Sequence, residues 1–217
     1  MAREAFDRQL AALRHSTILL GEQAQAAVEQ AIDAFTRQDL VLARQVVEED
    51  IGINRIERQV LDEATTLLAL QAPVATDLRT IVGVSRIANH FERIGDHARD
   101  IGNSTIRSAV DPPLGEMPHF TVMLERVVAM VHDGLHAYSA ADVSLARAIS
   151  AADDGVDAAY GSLFTELLDA MRRDPSLAVR GTYTLFVAHD LERIADYIAD
   201  IAEAVIYMAT GQREELN

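Results

Sequence analysis

Seven apolar residues late in the chain, Val187, Leu191, Ile194, Ile198, Ile201, Val205 and Met208, are separated by alternating steps of four and three. That spacing keeps them on one side of a helix and predicts a bundle element with a single buried seam. Asp174 followed by Pro175 is a start signal, a capping side chain ahead of a ring whose fixed φ suits the first helical position. Gly211 is a stop signal. An earlier seam, Val84, Ile87, Phe91, Ile94, Ala98 and Ile101, has the same character. The pattern predicts helices over residues 4–36, 39–69, 74–109, 119–138, 142–171 and 175–210, with Pro73, Pro112, Pro113, Pro118 and Pro175 between them or at their starts. No alternation of apolar and polar residues runs long enough to suggest a sheet.

The chain also repeats itself. "FERIGDHARDI", from Phe91, and "LERIADYIADI", from Leu191, share Glu, Arg, Ile, Asp, Asp and Ile at matching places, one hundred residues apart. "DLVLAR" at Asp39–Arg44 matches "DVSLAR" at Asp142–Arg147, and "DIGIN" at Asp50–Asn54 matches "DDGVD" at Asp153–Asp157, both at an offset of 103. A three-residue difference in the loop ahead of Pro73 or Asp174 reconciles the two offsets. "DPPLGEMPHF", Asp111–Phe120, is the densest cluster of breakers and marks the boundary between halves. The expected fold class is therefore all-α, with two tandem, sequence-related three-helix bundles over residues 1–110 and 111–217 and six long helices. Short connections make sequential helices antiparallel, and the two bundles could lie end to end or side by side.

Composition narrows the chemistry. The 217 residues carry a net charge of −15, which argues against a nucleic-acid partner and against a direct grip on anionic lipid. All 19 basic residues are Arg, so a phosphate-loop lysine and a Schiff-base lysine are excluded. The absence of Cys excludes thiolate catalysis and thiolate metal ligands. Aromatics are only 5%, so Ala, Leu, Ile and Val must fill the core. The opening "MAREAFDRQL" is charged, and no apolar run approaches the ~20 residues of a membrane helix. A cytoplasmic protein without direct membrane insertion is expected.

The repeated motif carries the candidate chemistry. Glu92, Asp96 and Asp100 are spaced by four, as are Glu192, Asp196 and Asp200, so each set shares a helix face beside the apolar seam. Like charges at this spacing cost a helix roughly 0.2–0.5 kcal/mol per pair. Between residues 86–101 and 186–201, seven of sixteen positions are identical, and three of those seven are these acids. A second row stands on the preceding helix of each half: Asp50 and Asn54, with Glu49 beside them and Glu57 one turn on, then Asp153 and Asp157, with Asp154 beside them. Antiparallel neighbours would bring the rows together as oxygen-rich sites suited to hard cations, iron or manganese. The alternative for each row taken alone is a solvated face. Arg93 and Arg193 are read as i, i+3 partners of Asp96 and Asp196, and Gly95 and Ala195 as small residues suited to close helix approach or simple surface choices. His90, His97 and His189 lie near the rows, and His189 shares the face of Glu192. The Glu-x-x-His pair of di-iron enzymes falls only in the linker, at Glu116–His119, and no nucleophile–base pair is visible, so no enzyme is expected.

"QAPVATDLR" (Gln71–Arg79), "FERIGDHARDI" (Phe91–Ile101), "LERIADYIADIAE" (Leu191–Glu203) and "DIGIN" resemble the signatures of the PhoU family of phosphate-signalling regulators, in the family's order and over nearly the whole chain. The resemblance implies two similar three-helix bundles with multinuclear metal sites on their surfaces. Carried over by position, the ligands would be Asp50, Glu92 and Asp96 in the first half and Asp153, Asp157, Glu192 and Asp196 in the second. Asp100 and Asp200 extend the rows where the family often has Asn. Asn103 against Glu203 is a further difference between the halves, so the two sites are expected to differ in nuclearity or affinity. The ions would be divalent or trivalent: iron, zinc, manganese or magnesium. The resemblance further implies a cytoplasmic negative regulator of phosphate uptake, linking the ATPase of a phosphate ABC transporter to a sensor histidine kinase, with a homodimer compatible. An acidic interaction module without metal, and behind it a metal-dependent hydrolase, are the competing readings.

Overall fold

The computed structural model describes residues 2–70, 73, 75–111, 114 and 116–216. Position 74, where the third helix was expected to begin, and Pro112 and Pro113 of the breaker cluster lie outside the described residues, as do Gln71, Ala72 and Val74 of the first signature. The fold is all-helical: α1 (Ala2–Arg37), α2 (Leu40–Leu70), α3 (Ala75–Arg107), α4 (Pro118–Ala140), α5 (Val143–Arg173) and α6 (Ala178–Thr210).

The repeated Asp-x-x-Leu-Ala-Arg motif explains the first turn of each half. Gln38 and Ala141, matching positions, both adopt a left-handed conformation (φ 56° and 52°) that reverses the chain. The following aspartates then cap the next helix: Asp39 Oδ1 accepts from the Val41 and Leu42 N–H groups, and Asp142 Oδ1 from that of Leu145. Gly211 ends α6 as expected, with φ 77° and its N–H donated to the Tyr207 carbonyl at 2.8 Å. The start of α6 differs from expectation. Asp174 caps a single 3₁₀ turn, Pro175–Leu177, accepting from the Ser176 N–H and Oγ–H, and the α-helix begins only at Ala178. A capping side chain ahead of proline serves a 3₁₀ turn as well as an α-turn, because both leave the first N–H groups unpaired.

The bundles α1–α3 and α4–α6 lie side by side. The long antiparallel contact of α3 with α6 joins them, and α1 meets α4 beside it. The two halves therefore share one continuous core. Each seam read from the sequence is buried within it, apart from Met208, which is half-buried. α3 and α6 are buried on more than one face, and many of the additional buried positions are small: Ala88, then Ala188, Ala195, Ala199, Ala202 and Ala204. Small side chains let these central helices approach while their larger seams fill the separate bundles.

Arg180 ties the halves at one end. It is 5% exposed, donates to the carbonyl and the hydroxyl of Ser108 at 3.1 and 2.9 Å, and lies 5.0 Å over the Phe35 ring. Arg180→Ala should lower stability by about 2–3 kcal/mol, from lost charge-assisted hydrogen bonds and the cation–π contact. Urea unfolding followed by circular dichroism measures this, and a shift below about 0.5 kcal/mol would make the tie incidental.

Candidate metal centre

The first row is assembled from α2 and α3. Gly95 faces Ile53, and a Cβ there would come within 2.9 Å of Ile53 Cδ1, so the missing side chain lets α2 close on α3 beside Asp96. Asp50 is buried on α2, while Glu92 and Asp96 are half-buried on α3. Asn54 Nδ2 donates to Asp50 Oδ2 at 2.8 Å. Asp50 Oδ1 is buried and accepts no hydrogen bond. Burial pushes the Glu92 carboxyl upward, and the charges of Asp96, Glu57 and Asp50 push the same way, while Arg93 opposes them. Burial likewise raises Glu57.

Arg99 completes this row. Its Nη1 donates to Asp50 Oδ2 at 3.1 Å and to Asp96 Oδ1, and its Nη2 to Asp100 Oδ1 at 3.3 Å. Arg99 is not among the residues that the repeated acid rows single out. Its signal was an i, i+3 spacing from Asp96 and a mismatch with the second half, which has Ala199 there. Arg93, expected to pair with Asp96, stands farther off at 3.8 Å.

The second row is assembled from α5 and α6. Asp153 is 6% exposed and its carboxyl is pushed up to about 6, by burial first and then by Asp196, Asp157, Asp154 and Glu192. Glu192 and Asp196 are half-buried, and burial raises both; Asp196 adds to the first shift, and Arg193 opposes the second. Arg193 pairs with Asp196, as the spacing predicted, and lies over the Tyr197 ring. Glu192 Oε2 is buried and accepts no hydrogen bond, with His189 Nδ1 3.3 Å away. Asp157 is exposed, yet close enough for its charge to raise Asp153, Glu192 and Asp196.

Asp100 and Asp200 stand at the ends of the rows. Asp100 faces Arg99, and Asp200 Oδ2 lies 3.6 Å from His90 Nδ1 across the α3–α6 contact. His90 and His97 turn away from the first row. Both rings lie against Tyr197, and His97 Nδ1 stands 2.9 Å from Asp190 Oδ1. Among the described residues, no three Asp, Glu or His groups are gathered around one point as metal ligands. The rows meet as crowded carboxylates rather than as closed ligand shells. The donor chemistry of the second row, all oxygen with a buried Glu192 atom that accepts no hydrogen bond, nevertheless fits a hard cation. The first row fits less well, because one guanidinium, that of Arg99, reaches three of its carboxylates, whereas Arg193 in the second row pairs with Asp196 alone among the acids read as ligands.

The same architecture recurs elsewhere. The PhoU domain matches the chain twice, over residues 17–105 and 120–205. The phosphate-specific transport system accessory protein PhoU homolog of Clostridium acetobutylicum is 33% identical, covering 100% of both chains. That of Rhizobium meliloti is 33% identical, over 97% of this chain and 90% of its own. Among solved structures, PhoU from Pseudomonas aeruginosa superposes with a TM-score of 0.91 at 32% identity, over 95% of this chain and 100% of its own. The phosphate transport system regulatory protein PhoU from Streptococcus pneumoniae gives 0.89 at 28% identity, over 96% of this chain and 99% of its own.

Proposed function

We infer the function from one premise: the chain belongs to the PhoU family, whose members are accessory and regulatory proteins of phosphate transport, not enzymes. No helix among the described residues is long and apolar enough to cross a membrane. We propose that the protein is a cytoplasmic negative regulator of phosphate uptake and of the phosphate-starvation response. It would act as an adaptor between the ATPase of a phosphate ABC transporter and a sensor histidine kinase. The observation that carries the metal part of this reading is the pairing of a buried carboxylate on one helix with half-buried carboxylates on the next, made twice in one chain. Asp153, Asp157, Glu192 and Asp196 would hold the cation. A bound metal ion would supply positive charge that offsets the crowded carboxylates and stiffens the face shown to a partner.

Elemental analysis of protein purified without added metal tests the site. Glu192→Ala with Asp196→Ala should lose bound metal and keep its helical circular dichroism; unchanged metal content would remove these residues from the assignment. Pull-down from phosphate-replete cells, with and without a chelator, tests the adaptor role: transporter ATPase and kinase should be recovered, and chelator should reduce the yield. Arg99 supports a second reading, in which the acids meet basic groups of a partner without metal. That reading expects partner binding to fall steeply with salt and to ignore the chelator.

A further inference from the structure

Arg99 is a cation that the repeat does not duplicate. The matching position on α6 is Ala199, which is buried at 1% exposure and carries no charge. The guanidinium reaches Asp50 on α2 and both Asp96 and Asp100 on α3, three of the four acids read as first-row ligands. We propose that Arg99 is the resident cation of the first row, occupying the place a metal ion would take there, so that the chain takes up metal at the second row alone. This rests on the metal reading above and changes its stoichiometry and its geometry: one face is neutralised by the chain itself, the other by an ion from solution.

Three observations support the inference. A guanidinium stays charged at any physiological pH and offers a rigid fork of donors, so it does not vacate the row as a histidine or lysine could. The Asp50 oxygen it contacts also accepts from Asn54 Nδ2, so a metal ion approaching that oxygen must displace two N–H donors and repel a fixed positive charge. The second half has Asp157 where the first has Asn54, which replaces a donor by an acceptor. The arginines near the second row do not repeat the arrangement. Arg193 corresponds to Arg93 and pairs with Asp196 and Tyr197 on its own helix. Arg126 of α4 packs on Gly155, which lies on the opposite side of α5 from Asp153 and Asp157.

Manganese(II) alone, titrated calorimetrically into the chelator-stripped full chain, tests the proposal. The parent should lose manganese uptake with Glu192→Gln plus Asp196→Asn and keep it with Glu92→Gln plus Asp96→Asn. Arg99→Met keeps most of the aliphatic stem, and it should open a second class of uptake that Glu92→Gln plus Asp96→Asn abolishes. The thermal midpoint with and without manganese gives an independent readout in each chain, and Arg99→Gln replaces Arg99→Met should the latter not fold. Manganese uptake that depends on Glu92 and Asp96 while Arg99 is present overturns this proposal and leaves the metal reading standing. An Arg99 variant that binds no more manganese than the parent also overturns it. Absence of uptake in every chain overturns the metal reading and this inference with it.

Discussion

Phe91→Ala should lower the unfolding free energy by about 3–5 kcal/mol, the range for deleting a phenyl ring from a closed core. Phe91 is 1% exposed on α3. Its ring lies against Gly21 of α1, with Cζ 2.8 Å from where a Cβ would stand, and Leu135 of α4 closes the same spot from the other half. The cavity would therefore open where both bundles meet, with rigid helices around it and little freedom to collapse. The matching Leu191→Ala should cost about 2–5 kcal/mol by the same mechanism. Urea denaturation should show a lower midpoint with an unchanged slope. A loss under about 1 kcal/mol for Phe91→Ala would mean that the crossing repacks and is not the keystone its burial suggests.

The pH dependence of the metal-free protein is the second large effect. Asp153 is held near 6 in the folded chain against an ordinary 3.8, so the folded state binds its proton more tightly than the unfolded chain does. Stability from this group is fully present below its ordinary range and is lost as the pH rises through about 6. Allowing for solvent screening, the loss is on the order of 2 kcal/mol. Glu92, Glu192 and Asp196 shift in the same direction and add to the slope. In the presence of chelator, stability should therefore fall between about pH 4 and about pH 7, and Asp153→Asn should flatten the curve and stabilise the chain at neutral pH by about 2 kcal/mol. A divalent cation needs the deprotonated carboxylates, so its stabilising effect should grow over the same interval. Chemical denaturation at several pH values, with chelator and with manganese, measures both; a flat profile in chelator would show that the row is better solvated than its burial implies.

The seam on α6, the start of α5 at Asp142 and the stop at Gly211 were legible because each depends on residues within a turn or two of one another. The duplication was legible for the same reason, since local signals recur at a fixed offset. The acids of each row could be placed on a common helix face by counting in fours. Their partners on the neighbouring helix could be proposed from the antiparallel connection, and the upward shifts of Asp153, Glu192 and Asp196, to each of which the charge of Asp157 contributes, reflect that proximity. Counting did not separate a 3₁₀ turn from the first turn of α6, because proline and a capping aspartate serve both.

Periodicity along the chain by itself determined the helices, the internal repeat and the faces on which charge would gather, because a helix repeats every 3.6 residues whatever surrounds it. The tertiary structure alone decided that the halves lie side by side through α3 and α6, that His90 and His97 turn across that contact toward Asp200 and Asp190, and that Arg99 reaches three carboxylates while its counterpart is a buried alanine. Those outcomes depend on which of several exposed or half-exposed side chains finds a partner on a helix distant in sequence. Helix period places a side chain on a face, but only packing sets what stands opposite it.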